Sequence, residues 1–257
     1  PGAAVGRGVV AGGGAPRDDF VCWAPDKPFT AGEEQGIFEA YPPPSAADLP
    51  KRFKSAQAMW TAIADDPLVF MTNTKFLQEH NLQAPASWDD LLNPAYKGML
   101  QMADARTSGT AVTRIFSILQ VNNRNEDAGF AYMKKLRQNI QAYTKSGGGG
   151  TVPVGLGQAA GGIFFIVDAL FTRQKGYDVQ ISFPKEGIGS AAECIGLVKG
   201  NKNGAAARKL IDWAASPDMQ SLLAPSKINF LPAHPKVAPD PDLAAVLKQA
   251  KIIEIDD

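Results

Sequence analysis

Thr107-Ser108-Gly109-Thr110 lies between a short apolar stretch, Met99 to Met102, and a run of helical periodicity that begins at Ala111. Three hydroxyls and a glycine at a helix start suit the binding of an anion. The first turn of a helix leaves backbone N–H groups unpaired and carries positive partial charge. Gly109 lets the backbone approach a ligand closely, and the hydroxyls of Thr107, Ser108 and Thr110 can donate to an oxyanion. The same residues also make an ordinary N-cap. A second set of amide donors is offered by Ser146, Gly147 and Gly148, in a run of four glycines that ends at Gly150. Successive N–H groups there can form an anion-binding concavity, or the run can be a flexible linker. No Gly-Lys-Ser/Thr follows the glycines, so this is not a nucleotide phosphate loop.

Two carboxylates stand in apolar surroundings. Asp168 closes the apolar stretch Gly162 to Val167, and Glu193 precedes another, Cys194 to Lys199. A carboxylate so placed is costly unless it is paired, hydrogen-bonded or exposed to a ligand. Both suit the acceptance of hydrogen bonds from hydroxyls or an ammonium group, and both also suit capping of a helix or pairing with Lys or Arg. Trp60 and Asp66 are lesser candidates, explained as well by core packing and a turn.

Catalysis has little support. No GxSxG, HExxH or paired His and Cys arrangement is present, so no catalytic residue is expected. His80 and His234 share no ligand spacing and read as surface residues. Cys22 and Cys194 form neither a CxxC pair nor a metal spacing; two unrelated thiols is the simpler reading, with one long-range disulfide as the alternative. No metal or cofactor is expected. Lys plus Arg equals Asp plus Glu at 26 each, so no uniform field exists to hold nucleic acid. No window reaches the roughly 20 apolar residues of a membrane helix.

The elements that must position these residues alternate short apolar strands with amphipathic helices, the pattern of an α/β protein with mostly parallel sheets. Leu68 to Thr72 reads as a strand, Ser87 as the cap of a short helix, and Met99 to Met102 as the next strand. The helix after Gly109 has an expected core stripe of Ala111, Val112, Ile115, Phe116 and Leu119. Asn125 starts another, with Phe130, Met133 and Leu136 on its apolar face and Lys134, Lys135 and Arg137 in its last turn. Gly162 to Val167, Val179 to Phe183 and Cys194 to Lys199 read as strands. Asn203 opens a helix with Ala207, Leu210, Ile211 and Ala214 inward, and Ser216-Pro217-Asp218 starts one more. Pro1 to Pro16 is Gly-, Ala- and Val-rich, lacks the pattern of a signal peptide, and reads as a disordered or abnormal leader.

The order of these elements resembles the periplasmic solute-binding proteins of ABC importers, in the branch of ferric-iron, phosphosugar and 2-aminoethylphosphonate receptors. The resemblance is carried by Glu34-Gln35-Gly36-Ile37-Phe38-Glu39-Ala40-Tyr41, Pro67-Leu68-Val69-Phe70, Asn73-Thr74-Lys75, Ser87-Trp88-Asp89-Asp90-Leu91-Leu92 and Tyr96-Lys97-Gly98. It continues through Thr107-Ser108-Gly109-Thr110-Ala111, Tyr143-Thr144-Lys145-Ser146-Gly147, Phe183-Pro184-Lys185-Glu186-Gly187, Ile211-Asp212-Trp213-Ala214 and Ser216-Pro217. It implies a two-lobed type 2 periplasmic-binding-protein fold, with helices flanking the sheets and the solute in the cleft between lobes. Lobe one would comprise residues 17–70 and 191–229, lobe two 71–190, and a tail, 230–257, would pack across the body. The family's usual opening of strand, ligand loop, helix and strand is mostly missing, so lobe one is expected to be incomplete.

The resemblance also implies a function: a monomeric periplasmic receptor for a small anionic organic solute, partnered by an inner-membrane ABC permease. In relatives the loop matching Thr107 to Thr110 holds phosphate or a synergistic anion, and positions matching Asp168 and Glu193 face the solute. Ferric iron is the lesser reading, because the paired tyrosines of iron-binding relatives correspond here to Ile166 and Val167. A truncated product without binding function is the remaining alternative.

Overall fold

A computed structural model describes residues 16–255. The expected leader, Pro1 to Pro16, lies almost wholly outside the described residues. Along the chain run β1 (Phe20–Pro25), α1 (Asp26–Glu34), β2 (Phe38–Glu39), β3 (Thr61–Asn73), α2 (Thr74–Glu79) and β4 (Leu100–Ala103). There follow α3 (Gly109–Val121), α4 (Glu126–Leu136), β5 (Ile140–Thr144), α5 (Thr151–Gly155), β6 (Gly161–Phe165) and α6 (Ile166–Gln174). The remainder comprises β7 (Val179–Ser182), β8 (Ile188–Val198), α7 (Gly204–Ala214), α8 (Pro217–Gln220), α9 (Pro241–Leu247) and β9 (Ile252–Ile253).

The described residues divide into two compact units, one of residues 16–66 and 191–244, the other of 67–190 and 245–255. In the first unit, β1 and β2 pair antiparallel with β8. One core cluster there joins Phe29, Phe38, Phe53 and Ala62 to Cys194 and Val198. A second gathers Ile63, Ile195 and Leu197 under Ala207, Ile211 and Ala214 of α7. Leu210, expected to face inward, is about one-third exposed. Cys22 and Cys194 are free thiols. His234, read from sequence as a surface residue, is only 1% exposed. Its backbone N–H donates to Oε1 of Gln220, itself fully buried, at 2.8 Å, which ties this loop segment to the interior.

β3 is buried along its whole length and far longer than the Leu68 to Thr72 strand expected. It carries Pro67, which has no N–H to give a ladder. The proline falls where the ladder changes partner: Asp65 bridges Leu231, whereas Leu68 to Thr72 pair with β6 and Phe70 to Asn73 with β7.

The second unit holds a mixed sheet. β4 is parallel to both β5 and β6, β9 is parallel to β8, and β3 is antiparallel to β6 and β7. The expectation of mostly parallel pairing is thus met by β4, β5 and β6 and by β8 with β9, and corrected where β3 and β1 pair antiparallel with strands far along the chain. Helix starts follow local chemistry. Asn73 Oδ1 accepts from Phe76 N–H at 3.0 Å to cap α2, and Asn125 Oδ1 accepts from Ala128 N–H at 3.0 Å to cap α4. Ser87 Oγ accepts from Asp90 N–H at 3.1 Å while Asp90 Oδ2 accepts from Ser87 N–H at 2.9 Å, a reciprocal cap on the short 3-10 turn Asp89–Leu92. This turn seats buried Trp88 edge-on to Phe70 and Tyr132, with its indole N–H on the Gly187 carbonyl at 2.9 Å.

The stripe expected on α3 is corrected. Its buried side chains are Thr110, Ala111, Thr113, Arg114, Ser117 and Ile118, so Ala111 alone of the expected set is fully buried. Polar atoms on this face are absorbed locally: Thr113 Oγ1 donates to Gly109 O and Ser117 Oγ to Thr113 O. On α4, Phe130 is 55% exposed and Gly129, Tyr132 and Leu136 face inward.

Candidate functional site

Strand order in this part of the second unit is β6-β4-β5. From β4 the chain passes first to β5 on one side and later to β6 on the other. In an open α/β sheet, ligands bind beyond the carboxyl ends of parallel strands where successive connections diverge in this way. The three segments picked from sequence leave those three ends: 104–110 after β4, 145–150 after β5 and 166–168 after β6.

The segment after β4 is tied down at both edges. Thr107 and Ser108 N–H both donate to Asp104 O, at 3.1 and 2.9 Å, and Asp104 N–H donates to Thr144 O at 2.9 Å. Thr107 Oγ1 donates to Lys145 O at 2.8 Å. Thr107 therefore fastens two loops together. Ser108 is the N-cap of α3 with extended backbone, and its hydroxyl makes no capping bond. Val112 N–H reaches Ser108 O at 3.4 Å as the first bond of the helix, which leaves the N–H groups of Gly109, Thr110 and Ala111 without an intrahelical acceptor. Ser108 and Thr110 are buried, and neither hydroxyl has a hydrogen-bond partner among the described residues.

The glycine run is a 3-10 turn, Gly147–Gly150, continued by α5, and the flexible-linker alternative is corrected. Each glycine permits a close approach. A β-carbon on Gly147 would collide with Thr110 Oγ1, one on Gly149 would lie 3.0 Å from Thr144 Cβ, and one on Gly150 would lie 2.5 Å from Gln101 Cβ. Gly149 N–H bonds Ser146 O at 3.2 Å, and Thr151 Oγ1 donates to Gly148 O at 2.9 Å. Ser146 and Lys145 are exposed.

Asp168 does not close a strand, and the expectation that it does is corrected. β6 stops at Phe165, and Asp168 is in the first turn of α6, where a carboxylate favours the positive end of the helix. It stands against Gly148. Burial alone pushes its carboxyl up to about 6, and no hydrogen bond from the described residues offsets this. The positions taken to match paired tyrosines are Ile166, fully buried, and Val167, both in the same helical turn.

Thus Ser108, Gly109, Thr110, Gly147, Gly148 and Asp168 are brought together in one unit, with Ser146 and Thr107 at the margin. Glu193 belongs to the other unit. It lies within β8, opposite Pro25 of β1, rather than before a strand, and is buried. Asp66 and Trp60 also belong to that unit. Sequence reasoning missed the third amide donor, Ala111, and the buried Arg114; the latter is legible as a charged residue one turn beyond Thr110 within an apolar helix. Among the described residues, no group of three or more His, Cys, Asp or Glu side chains could hold a metal ion, and no helix is long and apolar enough to cross a membrane.

Chemically, the arrangement offers neutral donors, three N–H groups and two hydroxyls, for an oxyanion. A carboxylate close by is able to accept from a hydroxyl or ammonium on the same molecule.

Comparison with known proteins bears on the family and the fold. A family model described as bacterial extracellular solute-binding protein matches residues 26–255. A protein of Haemophilus influenzae with no assigned activity is 30% identical over 200 residues, which is 76% of this chain. A putative 2-aminoethylphosphonate-binding periplasmic protein of Salmonella typhimurium is 28% identical over 75% of this chain. The matched region spans 57% of the length of each of these curated relatives. Among solved structures, the periplasmic binding protein AfuA from Actinobacillus pleuropneumoniae, with exogenous fructose-6-phosphate bound, superposes with a TM-score of 0.90 at 27% identity. The superposition covers 99% of this chain and 81% of that one. Iron-bound HitA from Pseudomonas aeruginosa shares the fold at 15% identity, with a TM-score of 0.78. The chain belongs to the bacterial extracellular solute-binding protein family.

Proposed function

We propose that this protein is the periplasmic solute receptor of an ABC importer and that it binds a small organic phosphate, phosphonate or sugar phosphate. The observation that carries this reading is the meeting of unspent donors beyond three parallel strands: the first turn of α3, the hydroxyls of Ser108 and Thr110, and the Gly147–Gly148 turn. The donors are neutral, so they hold an oxyanion through oriented dipoles rather than through a competing counter-ion. Asp168 accepts from the organic part of the solute. Two compounds named in relatives carry both features: 2-aminoethylphosphonate pairs an anion with an ammonium group, and fructose-6-phosphate pairs one with hydroxyls.

In this reading the protein acts as a monomer without cofactor, changes no bond in its ligand, and hands the solute to a membrane permease. Calorimetric titration with 2-aminoethylphosphonate, fructose-6-phosphate, inorganic phosphate and ferric citrate tests it. Saturable binding of one organic phosphate or phosphonate is the expected result. Binding of ferric citrate alone, or of none of the four, would sink the proposal.

A further inference from the structure

Between α3, α4 and β5, the second unit contains a cavity of about 310 Å³. That is at the small end of the roughly 300–1,000 Å³ typical of ligand pockets. Its walls are Ile115, Met133, Leu136 and Ile140, with Tyr143 at one edge and Arg114 among the lining residues.

Arg114 is the unusual member. It projects from the buried face of α3 and is 7% exposed. Among the described residues its guanidinium makes one hydrogen bond, from Nη1 to the Ala103 carbonyl at 3.3 Å, and no carboxylate lies within ion-pairing distance. A guanidinium carries five N–H donors and stays charged in proteins. A buried charge left with one long bond is expensive unless a partner arrives.

The other charges that line the cavity cancel. Asp104 and Arg106 hold each other through Nε contacts of 3.0 and 3.1 Å and an Nη2 contact of 2.5 Å. The cavity is therefore left with one net positive charge, at Arg114, and apolar walls. A single charge amid Ile, Met and Leu selects a monoanion with an apolar body. A compact phosphate dianion would leave surplus charge and leave the walls uncovered.

We infer that Arg114 and the cavity between α3, α4 and β5 form a second ligand site, which takes a small organic monocarboxylate with an aromatic or branched apolar body. The carboxylate receives two parallel N–H bonds from the guanidinium, as Arg and carboxylate geometry favours. The apolar body lies along Ile115, Met133 and Leu136. None of its lining residues is among the expected solute ligands.

The test uses the full chain and three probes in calorimetric titration: benzoate, its neutral isostere benzamide, and inorganic phosphate. Benzoate is expected to bind saturably, and tighter than either of the others. Arg114→Met should weaken benzoate by about tenfold or more, the loss expected when a charged hydrogen-bond donor is removed. Met133→Trp keeps the guanidinium and fills the cavity, and should weaken benzoate in the same way; it serves if Arg114→Met does not fold. Absence of saturable benzoate binding overturns the inference, as does benzamide or phosphate binding as tightly as benzoate, or benzoate affinity that either folded variant leaves unchanged. No organophosphate is needed, so the result stands whether or not the α3 site takes its proposed solute.

Discussion

A β-carbon on Gly148 would stand 2.7 Å from Asp168 Oδ1 and 3.2 Å from Asp168 Oδ2. The turn after β5 and the first turn of α6 thus meet only because one of them has no side chain. Gly148→Ala is expected to push the two segments apart, at about 1–3 kcal/mol of stability for an overpacked contact. Thermal unfolding should show a lower midpoint, and titration a weaker solute. An alanine variant with wild-type melting and affinity would mean that the close approach is unimportant.

Ser108→Ala with Thr110→Ala removes both unspent hydroxyls at the start of α3. Each hydrogen bond to a charged oxyanion contributes about 1.5–3 kcal/mol, so the Kd for an organic phosphate should rise by roughly tenfold to a hundredfold per contact. The two residues are neighbours, so the pair need not sum. Calorimetry on the single and double variants checks this; equal affinity in all forms would reject the site.

Asp168 sets a pH dependence whose sign follows from burial. Its folded carboxyl is raised to about 6, above an unfolded value of about 3.9, so the folded state holds the proton more tightly. The contribution to stability is therefore greatest below about pH 4 and is lost as pH rises toward about 6. Asp168→Asn should stabilise the unliganded protein at pH 7 by up to about 3 kcal/mol and little at pH 4. Urea denaturation of both forms at the two pH values measures the difference. A variant less stable than wild type at pH 7 would show a paired carboxylate instead.

The same substitution should reorder solutes. An ammonium group gains from an ionised carboxylate what an amide cannot give, so Asp168→Asn should cost 2-aminoethylphosphonate more than fructose-6-phosphate. Competition titrations give the ranking directly. An unchanged order would remove Asp168 from the site.

Tyr132 is buried, and its hydroxyl donates to the Trp88 carbonyl at 2.5 Å, which joins α4 to the turn that seats Trp88. Tyr132→Phe should cost about 1–3 kcal/mol, because the carbonyl loses its partner away from water. A lower urea midpoint with unchanged slope is the expected reading. No change in midpoint would mean that another donor serves this carbonyl.

Much of the architecture was legible in the residues themselves. Asn73 and Asn125 cap the helices that follow them, because a short polar side chain competes for the first free N–H groups wherever it precedes a helical run. Thr107-Ser108-Gly109-Thr110 marks a helix start on the same local grounds. These signals act over three or four residues and survive without tertiary context.

Only the tertiary structure decided which of the marked residues lie together. The order β6-β4-β5 brings Thr110, Gly148 and Asp168 together from three separate segments and leaves Glu193 in the other unit. It made the glycine run a packed 3-10 turn where a linker had been the alternative, spent the Thr107 hydroxyl on Lys145, and buried Arg114 on the inward face of α3. Pairing order and close approach are long-range properties: they depend on what lies opposite a residue, which neither periodicity nor composition records.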